Sequence, residues 1–117
     1  MLKLILILLL SIFFVLHGIN HFYNEDMLEE YARKRGLFSP KLSVQAAGVL
    51  LIAGGALLMW LPTRQLAVIM LSVFLVTATF TIHRFWVEES KQQKMLEAMN
   101  FAKNLAILTE LLYIGFV

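Results

Sequence analysis

The side chains able to do chemistry in this sequence sit inside apolar runs, and their spacing is regular. His17, Asn20 and His21 fall at i, i+3 and i+4, so one helix face carries all three. His83 closes a later apolar run, and Lys103, Asn104 and Glu110 lie within the last one. A histidine pair four residues apart is a metal chelate by geometry. The chain has no cysteine, however, and Glu110 is the only carboxylate deep in an apolar run, so helix-bridging or interfacial histidines are expected and no metal site is assigned. The lack of cysteine also excludes disulfide frameworks and dithiol redox relays. A stand-alone enzyme would have to use His83 or Glu110 as its acid or base. No Ser-His-Asp set, phosphate loop or nucleotide fingerprint supports one, so no catalytic residue is assigned.

The elements that must position these groups are membrane spans. Of the 117 residues 60% are apolar and 15% charged, against roughly 45–50% and about 25% in soluble domains. A span takes ~20 residues. The apolar runs predict spans at about 4–23, 42–61, 65–86 and 98–117, one membrane domain over residues 1–117. The first run is longer than a ~7–15-residue signal-peptide core and lacks a small-x-small cleavage site. The expected fold is all-α, an up-and-down four-helix bundle with a short amphipathic helix in the first loop. In that loop Asp26 and Glu29 read as an N-cap pair, Met27, Leu28 and Tyr31 as one apolar face, and Gly36 as the stop. Such a helix lies on the membrane surface or is simply solvated. Leu61-Pro62-Thr63-Arg64 reads as a tight turn, and Ser90 with Gln93 as the cap of a helix running into the last span. Gly48 and Gly55, seven apart, share a face for close helix packing.

Lys and Arg counts set the expected orientation. Lys3 and Arg64 stand against Arg33, Lys34, Arg35, Lys41, Arg84, Lys91 and Lys94, two against seven. Loops 24–41 and 87–97 are therefore expected in the cytoplasm and both termini outside. The net charge of +2 reports this asymmetry, and no aromatic-interleaved basic patch points to nucleic acid. Alternating spans bring His17, Asn20, His21, His83, Lys103 and Asn104 into one cytoplasmic-side layer. Counting from Asn100 at ~1.5 Å per residue puts Glu110 ~15 Å deep, near mid-bilayer and beneath that layer. A carboxylate there is expected to face the interior, pair or carry a proton, whereas Lys103 snorkels to the interface.

Four segments give a resemblance to a known family. Gly18-Ile-Asn-His-Phe22, Gly48-Val-Leu-Leu-Ile-Ala-Gly-Gly55, Thr81-Ile-His-Arg-Phe-Trp86 and Phe101-Ala-Lys-Asn-Leu-Ala106 run in order along nearly the whole chain. In them the sequence resembles the DoxX-like membrane proteins. The resemblance implies a four-helix protein of the bacterial inner membrane, linked to membrane oxidoreductase systems, quinone-coupled sulfur chemistry or oxidative-stress resistance. The chain departs from the family pattern at Leu51, where many relatives carry an acid, and at His21, where many carry Lys.

Together these features point to a non-catalytic subunit or small-molecule binding module of a membrane redox system. A quinone or other lipophile would insert among Phe13, Phe14, Phe22, Phe80 and Phe101 with its polar end on His17, His83 or Asn104. Ordinary membrane-facing or core packing is the favoured account of each ring taken singly. The alternative is a small homo-oligomeric transporter or channel-like protein.

Overall fold

Long apolar runs free of interior proline fold as helices in a bilayer, because hydrocarbon offers backbone groups no other partner. The computed structural model describes all 117 residues and contains helices and turns only. The helices are α1 (Leu2–Tyr23), α2 (Glu25–Lys34), α3 (Pro40–Leu58), α4 (Leu61–Thr81) and α5 (Lys91–Phe116), with one 3-10 turn at Phe85–Val87. Three helical segments are long and apolar enough to cross a membrane: α1, α3, and α4 with the turn after it. α5 falls outside that class because Lys91, Lys94, Glu97, Lys103 and Glu110 dilute it. Its second half nevertheless buries Leu111 and Ile114 in the same core as the other long helices.

Three boundaries differ from the sequence expectation. The turn before α4 is Met59-Trp60, and Leu61 and Pro62 already belong to the helix. Proline fits there because the first helical turn needs no N–H donor. Arg64 closes the end of α3 from across the turn, its Nε donating to Leu58 O at 2.9 Å. α4 then ends at Thr81, five residues early, and the chain turns through His83 and Arg84. Arg84 holds that turn by donating from Nε to Thr81 O at 2.8 Å and from Nη2 to Arg35 O at 2.9 Å. Around α2 the helix begins one residue before Asp26, with Asn24 at the N-cap position, and Gly36 adopts the left-handed conformation expected of a stop. Ser90 Oγ accepts from Gln93 N, so α5 starts where its cap predicts.

The core runs between the long helices. Ile7, Leu10 and Phe14 of α1 meet Leu51 and Leu58 of α3, Leu71 and Leu75 of α4, and Leu111 and Ile114 of α5. α1 and α3 approach most closely through small residues. A Cβ added to Gly18 would lie 2.8 Å from Gly48 O, and one added to Gly55 would lie 3.0 Å from Ser11 O. The outer faces are apolar too: Leu9, Ile12 and Leu16 on α1, Val73 and Phe80 on α4, and Leu105 and Leu112 on α5 are exposed. A protein with oil on both sides is built for lipid contact. Its longest extent, 44 Å, matches a bilayer of about 40–45 Å with headgroups.

Candidate functional site

The polar loops close one end of the helices, and beneath them lies a cavity of about 660 Å³. Its size falls within the ~300–1,000 Å³ of small-molecule sites. The apolar wall comes from Phe13 and Phe14 of α1, Leu50 and Leu51 of α3, and Phe74 and Leu75 of α4. α2 folds over the end, and Leu28, Tyr31 and Ala32 join the lining. Of the expected apolar face of α2, Leu28 and Tyr31 turn to the cavity while Met27 stays exposed, and Gln45 Nε2 of α3 donates to Glu25 Oε1 at 2.5 Å.

Six of the seven candidate residues line this one cavity: His17, Asn20, His21, His83, Lys103 and Asn104. Their roles differ. His21 is tied down, its Nδ1 lying 3.0 Å from Val44 O. Asn20 accepts from the Asn24 amide one turn on. The His17 ring stacks at a tilt on Phe13, 4.2 Å between centroids. Asn104 is only 8% exposed and faces the cavity with no hydrogen-bond partner in the chain. No group of three His, Asp or Glu side chains is arranged to hold a metal ion.

Glu110 is the exception. It is exposed in a shallow groove with Leu2, Leu6, Thr109 and Tyr113, at the far end of the molecule from the polar loops. The reason is helical phase. Glu97, Asn104 and Leu111 stand seven apart and form the buried face of α5. Lys103 and Glu110 also stand seven apart, one position back, and are exposed; Lys103 still reaches the cavity, whereas Glu110 does not. The expected rings are likewise only partly involved. Phe13 and Phe14 line the cavity, but Phe101 stacks with Phe80, Phe85 and Trp86 outside it, and Phe22 packs against Gly48.

The residue the sequence reading missed is Glu97. It is 2% exposed, although it lies in a segment read as polar connection. Arg35 Nη2 donates to its Oε2 at 2.5 Å, Tyr31 donates its hydroxyl to the same oxygen, and Asn100 Nδ2 donates to Oε1 at 3.1 Å. His83 Nδ1 lies 3.2 Å from Oε1 and donates in the tautomer protonated there. Burial alone pushes the Glu97 carboxyl up, but the bonds from Tyr31, Asn100, Arg35 and His83 outweigh it and hold the group down at about 2. The Tyr31 phenol is pushed up to about 12 by burial and by its bond to the carboxylate. Burial opposes the Arg35 charge, yet Tyr31, Glu97 and Glu88 together raise its affinity for the proton. The network is therefore a locked, charged plug: every oxygen of Glu97 is already engaged. The seven-residue spacing from Glu97 to Asn104 was the available signal. What remains free toward the cavity is Asn104, Lys103 and His17.

Compared with known proteins, residues 2–84 match the family model named DoxX. No curated protein and no solved structure matches the chain. The match covers α1 to α4 and the turn through Arg84, whereas Glu97, Asn100, Lys103 and Asn104 lie beyond it on α5.

Proposed function

The chain belongs to the DoxX family, and from that footing we propose that it is a four-span, non-catalytic membrane module that binds a polar-headed lipophile, quinone-like in build. The observation that carries this reading is the cavity of about 660 Å³, apolar on one side and polar on the other, with Asn104 buried against it and unpartnered. The Asn104 amide opens onto the cavity and bonds to no other side chain, so it is free to bond a ligand head. α5 serves as the fourth span. Phe101 to Phe116 covers about 24 Å at helical rise, and its Leu105, Leu112 and Phe116 face outward. The module sits in the inner membrane with the polar loops in the cytoplasm, and presents its ligand to a redox partner or to further copies of itself.

A thermal-shift titration of the full chain in detergent with decylubiquinone tests the reading. A ligand at a hundredfold its Kd stabilises by about 2.7 kcal/mol, which is a clear rise in melting temperature. Ala47→Trp, which fills the cavity from α3, is expected to abolish the rise. No shift, or a shift that survives Ala47→Trp, overturns the proposal. A reporter fused after Val117 is expected to give an extracytoplasmic signal.

A further inference from the structure

We infer that the preferred occupant of the cavity is an amphiphile with a single anionic head, entering from the bilayer between α1 and α5. This rests on the cavity being a lipophile site and ranks an anionic head above the neutral quinone-like one. The cavity lining includes Lys103 and three histidines, and neither Asp nor Glu. Lys103 forms no ion pair, for the ion pairs of the chain involve Arg33, Arg35 and His83. The two acids of α5 nearest in sequence cannot serve it. Glu97 is bonded by four other side chains, and Glu110 is about two turns away and outside the cavity. A cation between membrane helices with no counter-charge draws an anion to itself.

The entry route follows from the packing. α1 and α5 touch less than any other neighbouring pair of long helices. His17 on α1 and Lys103 on α5 are both exposed while lining the cavity, so the two flank that seam. An acid head sliding in there meets Lys103 first and the Asn104 amide next. The tail then lies along Phe13, Phe14, Leu51 and Phe74, an apolar wall that needs no polar partner.

The test compares cis-parinaric acid with its methyl ester, by fluorescence, on the full chain in detergent with empty micelles subtracted. The acid is expected to bind about tenfold tighter, the worth of one charge-assisted contact. Lys103→Gln should bring the acid down to the ester, and Lys103→Arg should restore the gap. Competition with oleate and with oleoyl lysophosphatidylglycerol identifies whether a free acid or a single-chain phospholipid is the better source of the head. Equal affinity for acid and ester in the unmodified chain overturns the anionic head and leaves the lipophile site standing. Binding of neither probe overturns both.

Discussion

Arg35 Nη2 lies 2.5 Å from Glu97 Oε2 and also 2.5 Å from Glu88 Oε1. One guanidinium at the end of α2 thereby clamps both the connection after α4 and the buried face of α5. Glu97 is nearly sealed from solvent, so losing its counter-charge leaves an unpaired ion in a site with little water. Breaking one side of such a pair costs roughly 3–5 kcal/mol, whereas replacing both sides by apolar groups is often nearly neutral. Arg35→Met or Glu97→Leu alone should therefore lower the melting temperature in detergent sharply, and the double variant should recover part of the loss. Equal losses in single and double variants would show that the clamp is not a coupled unit.

The same network predicts how stability depends on pH. The Glu97 carboxyl sits at about 2 in the folded chain against an ordinary 4.5. A group held lower on folding stabilises fully above its ordinary value and loses that contribution as pH falls toward its folded value. Stability should therefore decline from pH 4.5 toward 2, by about 3 kcal/mol at most. Tyr31 works at the other end, its phenol raised from 10 to about 12. Its contribution is whole below pH 10 and fades as pH rises through 12. Melting curves across pH should show both limbs, with Glu97→Gln flattening the acid one and Tyr31→Phe the alkaline one.

Gly18 sets how closely α1 approaches α3, for a steric reason. A methyl group there would lie 2.5 Å from Ile52 Cγ1 and 2.8 Å from Gly48 O, and the latter is backbone that cannot swing aside. Gly18→Ala should force α1 and α3 apart at a cost of about 1–3 kcal/mol. Gly36→Ala makes a contrast. Nothing lies within 4 Å of the added carbon, but φ is +76°, so its cost is conformational, about 1 kcal/mol, and leaves helix packing unchanged. Cysteine cross-linking rates between α1 and α3 should fall in the first variant and hold in the second.

Much of this was legible in the residues, and the gaps have physical causes. Apolar run length exposed three spans, and alternation along the bundle brought His17, Asn20, His21, His83, Lys103 and Asn104 to one cavity without any knowledge of contacts. The fourth long helix was visible only in part, because its charges sit on two faces with opposite fates. Glu97 was hidden because a lone acid in a polar stretch looks solvated until the partners arrive from 62 and 66 residues away. Burial in that case is set by the fold of α2 over the end of the helices, which local periodicity does not encode. Phe74 escaped for the opposite reason: one ring among many apolar side chains carries no signal of which face it occupies.

Glu110 tests whether depth or phase decides the fate of a charged side chain. Depth alone puts it near the membrane centre; its phase, about 100° around α5 from buried Leu111, leaves it exposed beside Leu2, Leu6 and Tyr113. It makes no ion pair and no hydrogen bond within the chain, and it does not line the cavity. Removing it therefore frees nothing and leaves no partner unsatisfied. Glu110→Leu should keep or raise the melting temperature, since a leucine meets lipid at less cost than a carboxylate does, and should leave cis-parinaric acid binding unchanged. Asn104→Leu, only six residues earlier but on the buried face, should weaken that binding severalfold at similar stability. If Glu110→Leu weakens binding as much as Asn104→Leu, the outward placement of Glu110 is wrong and it belongs to the site after all.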